Sequence, residues 1–204
     1  MPKSIAYRLL APALDLPESV HMVCKKDKFE RLLGELAIHR LDMVITDRPI
    51  PPGIDVKGYS HRLGECGLSF FAAPALAAQL KGDFPHQLDG APLLIPGEDS
   101  AVRGPLLRWL RGQDINLRIV GEFDDGALMK SFGQAGVGVF PAPTVIAAEV
   151  AERYGVVALG ATDDVTERFF LITVERKLHH PAARAVSNSA QQGLFNTTLP
   201  VPGP

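Results

Sequence analysis

Apolar positions along this chain alternate between two rhythms, a helical spacing near 3.6 residues and short continuous runs bounded by turn residues. Phe29, Leu32, Leu33, Leu36 and Ala37 fall on one helical face, which predicts a helix capped by Asp27 and running to Ile38. The runs on either side, VHMVCK at Val20 to Lys25 and LDMVIT at Leu41 to Thr46, read as strands. An opening helix is expected from Ser4 to Leu10, closed by Pro12 and Pro17. After a proline-rich loop at Asp47-Arg48-Pro49, Val56 to Leu63 and Leu68 to Ala72 read as two further strands.

The alternation then restarts. Pro74 opens a helix near Leu80, Leu93 to Ile95 reads as a buried strand, and Ala101 to Leu110 as a helix. Leu117 to Val120 and Val137 to Phe140 read as strands around a helix at Asp124 to Phe132. A helix at Thr144 to Tyr154, a strand at Arg168 to Val174 and a helix at His180 to Gln192 complete the pattern, and the tail after Asn196 is expected to be disordered. Short strands alternating with helices predict an α/β fold built on doubly wound, mostly parallel sheets.

Composition narrows the function classes. The 204 residues are 46% hydrophobic and 22% charged, ample for a core, and carry a formal net charge of -2. A domain that grips nucleic acid by itself needs a basic excess to neutralise phosphates, so these residues are poor candidates for direct DNA contact. No apolar run approaches the ~20 residues of a membrane span. Arg8 and Asp15 break the apolar stretch of the N-terminus, so it reads as a helix of a cytoplasmic protein rather than a signal peptide. Cys24 and Cys66 form no CxxC pair and are expected to be small buried hydrophobes.

Several motifs fail on inspection. Gly133, Gly136 and Gly138 superficially resemble a dinucleotide fingerprint, but they close a helix and lead into a strand, the reverse of the required order. Gly136 is better explained as the left-handed residue past a helix end. The six histidines show no metal-ligand spacing, with His179-His180 expected to be solvated or capping, and no nucleophile elbow or P-loop is present. No cofactor, bound metal or enzymatic activity is therefore expected.

The chain resembles the effector-binding half of the LysR-type transcriptional regulators. Arg40-Leu41-Asp42 matches the family's entry into a strand, and Ser69-Phe70-Phe71-Ala72-Ala73-Pro74 its entry into a second lobe. VGEFDDGALMKSFGQAGVGVFPAP resembles its strand, helix, AGxG turn and returning strand, and ITVERKLHHPA its return strand and last helix. ITDRPIPPG and GEFDDGALMKSFGQAG are worded most like the NhaR-type regulators of sodium/proton antiport. The resemblance implies a two-lobed fold of periplasmic-binding-protein type 2, with residues 1–72 plus 165–204 as lobe I and 73–164 as lobe II. It implies DNA binding only through an N-terminal winged helix-turn-helix, which these residues lack together with the first strand of lobe I. It also implies homodimers or higher homo-oligomers, with Ile5, Leu9 and Leu10 of the first helix and the run Val20 to Lys25 in the contact. A transporter's solute-binding receptor shares the architecture and is the alternative reading.

Ligands of open α/β sheets bind beyond the carboxyl ends of the strands. Glu98, Asp99, Ser100, Glu122 and Asp124 occupy such positions in the second lobe. Asp47 and Arg48 do so in the first, as do Lys3 and Ser4 if a strand precedes them. These residues are the candidate effector site, facing a shared cleft. The simpler account of the acidic groups is helix capping. The family resemblance implies sodium, modulated by pH, as effector, and carboxylates suit a hard cation. Arg48, Arg103 and Lys3 could instead pair with the acids or recruit a small organic anion.

Overall fold

The structure is a computed structural model that describes residues 1–54 and 56–195; the tail after Asn196 lies outside the described residues. In chain order the helices are α1 (Lys3–Leu10), α2 (Phe29–Ala37), α3 (Pro74–Ala77), α4 (Arg103–Gly112), α5 (Gly126–Gln134), α6 (Ala147–Tyr154) and α7 (Pro181–Ser189). The strands are β1 (Val44–Thr46), β2 (Tyr59–Ala72), β3 (Pro92–Pro96), β4 (Arg118–Phe123), β5 (Phe140–Pro143) and β6 (Val157–Thr173). The chain divides into two compact units, Lys3–Glu65 with Arg168 onward, and Cys66–Glu167. The division falls inside β2 and β6, whereas the sequence placed it after Ala72 and before Val165.

In unit 1, α1 packs against α7 and buries Ile5 and Leu9 completely, beside Ala183, Val186 and Ala190. The apolar stripe of α2 meets β1 and the end of β6, where Leu33, Leu36, Val44 and Ile172 form one cluster. β1 pairs antiparallel with β6, with Val44 opposite Ile172. Ile5 and Leu9 therefore cover their own core and have no surface left for a partner subunit, contrary to the expectation for these two residues, whereas Leu10 is half-buried.

Unit 2 is built around β3, whose central residues Leu93, Leu94 and Ile95 are buried. β3 pairs in parallel with β4, and Leu93 makes a further parallel bridge to Val139. β2 pairs antiparallel with β5, from Leu68 opposite Pro143 to Phe71 opposite Phe140. The α4 stripe Leu106, Leu107 and Leu110 packs on β3, and Phe70, Phe84 and Trp109 stack within 6.0 Å of one another. Burying each such side chain stabilises the unit by roughly 1.5–3 kcal/mol.

Four local expectations are corrected. Val20 to Lys25 forms no strand, and Val23 is 65% exposed; among the described residues no strand pairs with it, and β-propensity without a hydrogen-bonding partner does not hold a strand. The runs Val56 to Leu63 and Leu68 to Ala72 are one strand from Tyr59, because Glu65, Cys66 and Gly67 continue the ladder. β6 begins at Val157, eleven residues before the expected Arg168, through the polar segment Thr162-Asp163-Asp164. Asp27 accepts a hydrogen bond from the Lys28 N–H and pairs with Arg31 instead of capping α2, whose N-cap is Lys28.

The cysteines divide. Cys24 is exposed, not buried, while Cys66 is half-buried on β2. Burial pushes the Cys66 thiol from the ordinary 9.0 up to about 12, with the Glu167 and Asp163 carboxylates adding to the rise and the backbone at Val145 and Thr144 opposing it. Among the described residues, no helix is long and apolar enough to cross a membrane.

Because the thiolate is the reactive form, iodoacetamide at pH 8 should alkylate Cys24 rapidly and leave Cys66 unmodified. Cys66 labelling in the folded chain should rise roughly tenfold per pH unit up to about 12. A raised thiol pKa contributes stability that is present below the unfolded value, so this contribution should disappear between pH 9.0 and about 12. Mass spectrometry of quenched peptides measures both rates, and equal labelling of the two cysteines at pH 8 contradicts the assignment.

Candidate functional site

Parallel strands leave a sheet at the same end, so the turns that follow β3 and β4 lie side by side. The Gly97 N–H donates to the Phe123 carbonyl at 2.8 Å and extends the pairing one residue past β3. The Ser100 N–H then donates back to the Gly97 carbonyl at 3.1 Å, closing a tight turn that presents Glu98 and Asp99 to solvent. A Cβ on Gly97 would collide with the Asp124 carboxylate, so glycine there lets Asp124 lean over the turn. Gly97, Glu98, Asp99, Glu122 and Asp124 line a pocket of about 320 Å³.

At α5, helix capping falls to the residue next to Asp124. Asp125 is the N-cap of α5, its Oδ1 accepting from the Ala127 and Leu128 N–H groups at 2.7 and 3.1 Å. Helix α4 has Val102 as N-cap, whose own side chain makes no cap hydrogen bond, and the Arg103 N–H donates to the Ser100 carbonyl at 3.2 Å at its start. Arg103 on α4 donates from Nε to the Pro96 carbonyl at 3.2 Å and pairs through Nη2 with Glu122. The pocket thus holds four carboxylates, of which Glu122 is balanced by a guanidinium. Such a concentration of one sign of charge attracts cations. Among the described residues, no three His, Cys, Asp or Glu side chains are grouped closely enough to hold a metal ion directly.

The remaining expected residues stand elsewhere. Lys3 and Ser4 open α1 in unit 1. Asp47 and Arg48 follow β1 in the same unit, with Arg48 Nε 3.0 Å from Asp47 Oδ1 and the guanidinium 5.9 Å from the Phe29 ring centroid. Ser100 closes the turn beside the pocket but does not line it. The sequence reading missed Gly97, whose signal was its place directly after the apolar run of β3. It also missed Lys130, buried on α5 with Nζ donating to the Gly126 carbonyl at 3.1 Å. Burial lowers the Lys130 pKa below its ordinary value, against the pull of Glu167, Asp125 and Glu149.

Residues 2–194 match the model of the LysR substrate binding domain family. The chain is 36% identical over 197 residues to the transcriptional activator protein NhaR of Escherichia coli strain K12, covering 97% of the chain and 64% of that relative. The NhaR protein of Shigella flexneri matches to the same extent. The chain therefore spans about two-thirds, at 64%, of the length of these curated relatives. Among solved structures it is similar to the effector binding domain of QuiR in complex with shikimate, with TM-score 0.67 and 13% identity over 91% of this chain and 88% of that one. It is similar also to a reduced form of OxyR from N. meningitidis, with TM-score 0.69 and 13% identity over 96% and 92% of the two chains. At these identities the structural likeness is one of fold.

The division between Asp125 and Asp124 is measurable. Asp125→Ala should destabilise unit 2 by about 0.5–2 kcal/mol through loss of the cap. Asp124→Asn should change stability by less than about 0.5 kcal/mol, as an exposed substitution does. Urea titration followed by circular dichroism checks both, and the reverse order of effects contradicts the capping assignment.

Proposed function

The chain belongs to the LysR substrate binding domain family, and from that premise we propose that it senses a small effector for a transcriptional activator and that the acidic pocket of unit 2 receives sodium. The observation that carries this reading is the meeting of Glu98, Asp99, Glu122 and Asp124 at the carboxyl ends of β3 and β4, with the capping duty taken by Asp125. Hard cations are bound by carboxylate, carbonyl and water oxygens. The carboxylates are too dispersed for a closed ligand set, so the ion would keep water between itself and some of them. Protons compete with a cation for the same oxygens, which gives a route to weaker response in acid. The ligand would shift the domain by its differential affinity for two conformations.

The match to the LysR substrate binding domain family and the 36% identity to a transcriptional activator protein favour a regulator over a transporter's receptor or an enzyme. On this reading the protein works in the cytoplasm and contacts DNA through a part beyond these residues. An organic anion is the second reading, since the similar QuiR domain holds shikimate. It fits this pocket less well, because Arg103 is already committed to Glu122 and the Pro96 carbonyl. Self-association is proposed as well, through Tyr7 and Leu14, which are 71% and 56% exposed, instead of the buried Ile5 and Leu9.

Trp109, the chain's one tryptophan, lies on the same helix as Arg103 and packs against Phe70 and Phe84, which makes it a fluorescence probe of unit 2. NaCl should shift its fluorescence and raise the unfolding temperature more than KCl at matched ionic strength, and the double variant Glu98→Gln with Asp124→Asn should respond to both salts alike. Identical responses of the unaltered chain to the two salts would overturn the sodium assignment. Light scattering should show a dimer that Tyr7→Lys dissociates; a monomer at high concentration argues against the pairing.

A further inference from the structure

Arg103 is not the only cation close to the acidic pocket. Among the described residues, Lys130 is the one buried side chain that carries a charge, with 7% of its surface exposed. Its place on α5 is unfavourable to a cation on two counts. Burial costs the ammonium its hydration, and the start of a helix is the positive end of the helix dipole. The side chain reaches back along α5 to that end, where Nζ donates to the Gly126 carbonyl at 3.1 Å. An apolar side chain of similar length would avoid both costs.

Its neighbours hold the proton on Lys130. Burial lowers its pKa, and Arg153 adds to the fall, while Glu167 of β6, Asp125 at the cap and Glu149 of α6 oppose it. The ammonium is also near the pocket along the chain. Gly126 stands two residues after Asp124, so with about 3.8 Å per residue and the hydrogen bond added, Nζ lies within roughly 13 Å of the Asp124 Cα. A buried charge is screened less than an exposed one, so its field persists over such a separation. Fields of fixed charges add, and Lys130 therefore opposes cation binding at the pocket whatever its own neighbours carry.

We infer that Lys130 sets the strength and the charge preference of cation binding at the acidic pocket, keeping a monovalent ion in exchange with the surrounding solution. The inference rests on the reading of that pocket as a cation site and names the residue that tunes it. Four carboxylates, of which one is paired with Arg103, would otherwise favour an ion of higher charge. Coulomb energy is proportional to the charge of the ion, so the same lysine opposes a divalent cation twice as strongly as sodium. A sensor of a dissolved ion must release it when its concentration falls, and a fixed positive charge that never touches the ion shortens its stay.

Sodium NMR and calorimetry with calcium chloride, at constant ionic strength on the full 204-residue chain, provide the test. Lys130→Met should tighten sodium by about threefold and calcium by about ninefold, the square of the sodium factor, because the Coulomb energy doubles with the ion's charge. Lys130→Arg keeps the charge and should bind both ions as the unaltered chain does. Adding Glu98→Gln and Asp124→Asn should abolish the tightening that Lys130→Met brings. Circular dichroism checks folding, and a loss of folding weakens binding, so it cannot produce a tightening. Equal affinities of Lys130→Met and the unaltered chain, or sodium and calcium changing by one common factor, would overturn the inference. If the unaltered chain binds calcium but no sodium, the sodium reading fails, and the calcium arm alone decides the role of Lys130. If no variant binds either ion, both readings fall.

Discussion

The parallel pairing of β3 with β4 sets the geometry on which the acidic pocket depends. Parallel neighbours must exit at the same end, and each then needs a turn to enter its helix. Two strand-to-helix turns are thereby forced together, and their acidic residues share one space without any long-range search. The hydrogen bond from Gly97 to Phe123 carries the pairing into that space. Side-chain bulk is excluded at Gly97, which leaves the Asp124 carboxylate room beside the turn.

Within this frame, adjacent carboxylates have different duties. Asp125 satisfies two N–H groups that α5 would otherwise leave without partners, a local structural task. Asp124, one residue earlier, projects into the pocket. Arg103 joins the two turns, since it holds the Pro96 carbonyl after β3 and the Glu122 carboxylate on β4. An exposed pair of this kind contributes at most about 1 kcal/mol, so its importance lies in orientation and in removing one charge from the cluster.

Much of this was legible in the sequence where a pattern is enforced locally. The α2 stripe, the buried run of β3 and the helix at α5 all follow from periodicity and appear within two residues or so of their expected places. Glu98, Asp99, Glu122 and Asp124 were legible as strand-end residues and do meet. The rest depended on partners that a linear reading does not contain. Val20 to Lys25 has strand-like residues and no strand, because nothing among the described residues pairs with it. Thr162-Asp163-Asp164 looks like a loop and is strand, because β2 lies alongside β6. Which of two neighbouring aspartates caps α5 is a matter of side-chain direction, and composition around Asp124 and Asp125 is identical for both.

Sodium NMR relaxation tests the central claim most directly, because it observes the ion instead of the protein's response to it. The account predicts that sodium linewidths broaden in proportion to the chain added, that potassium at equal concentration displaces sodium poorly, and that Glu98→Gln with Asp124→Asn removes the excess broadening while the chain remains folded. Broadening that is the same for the unaltered chain and the double variant, or that potassium abolishes as readily as sodium itself, would contradict it.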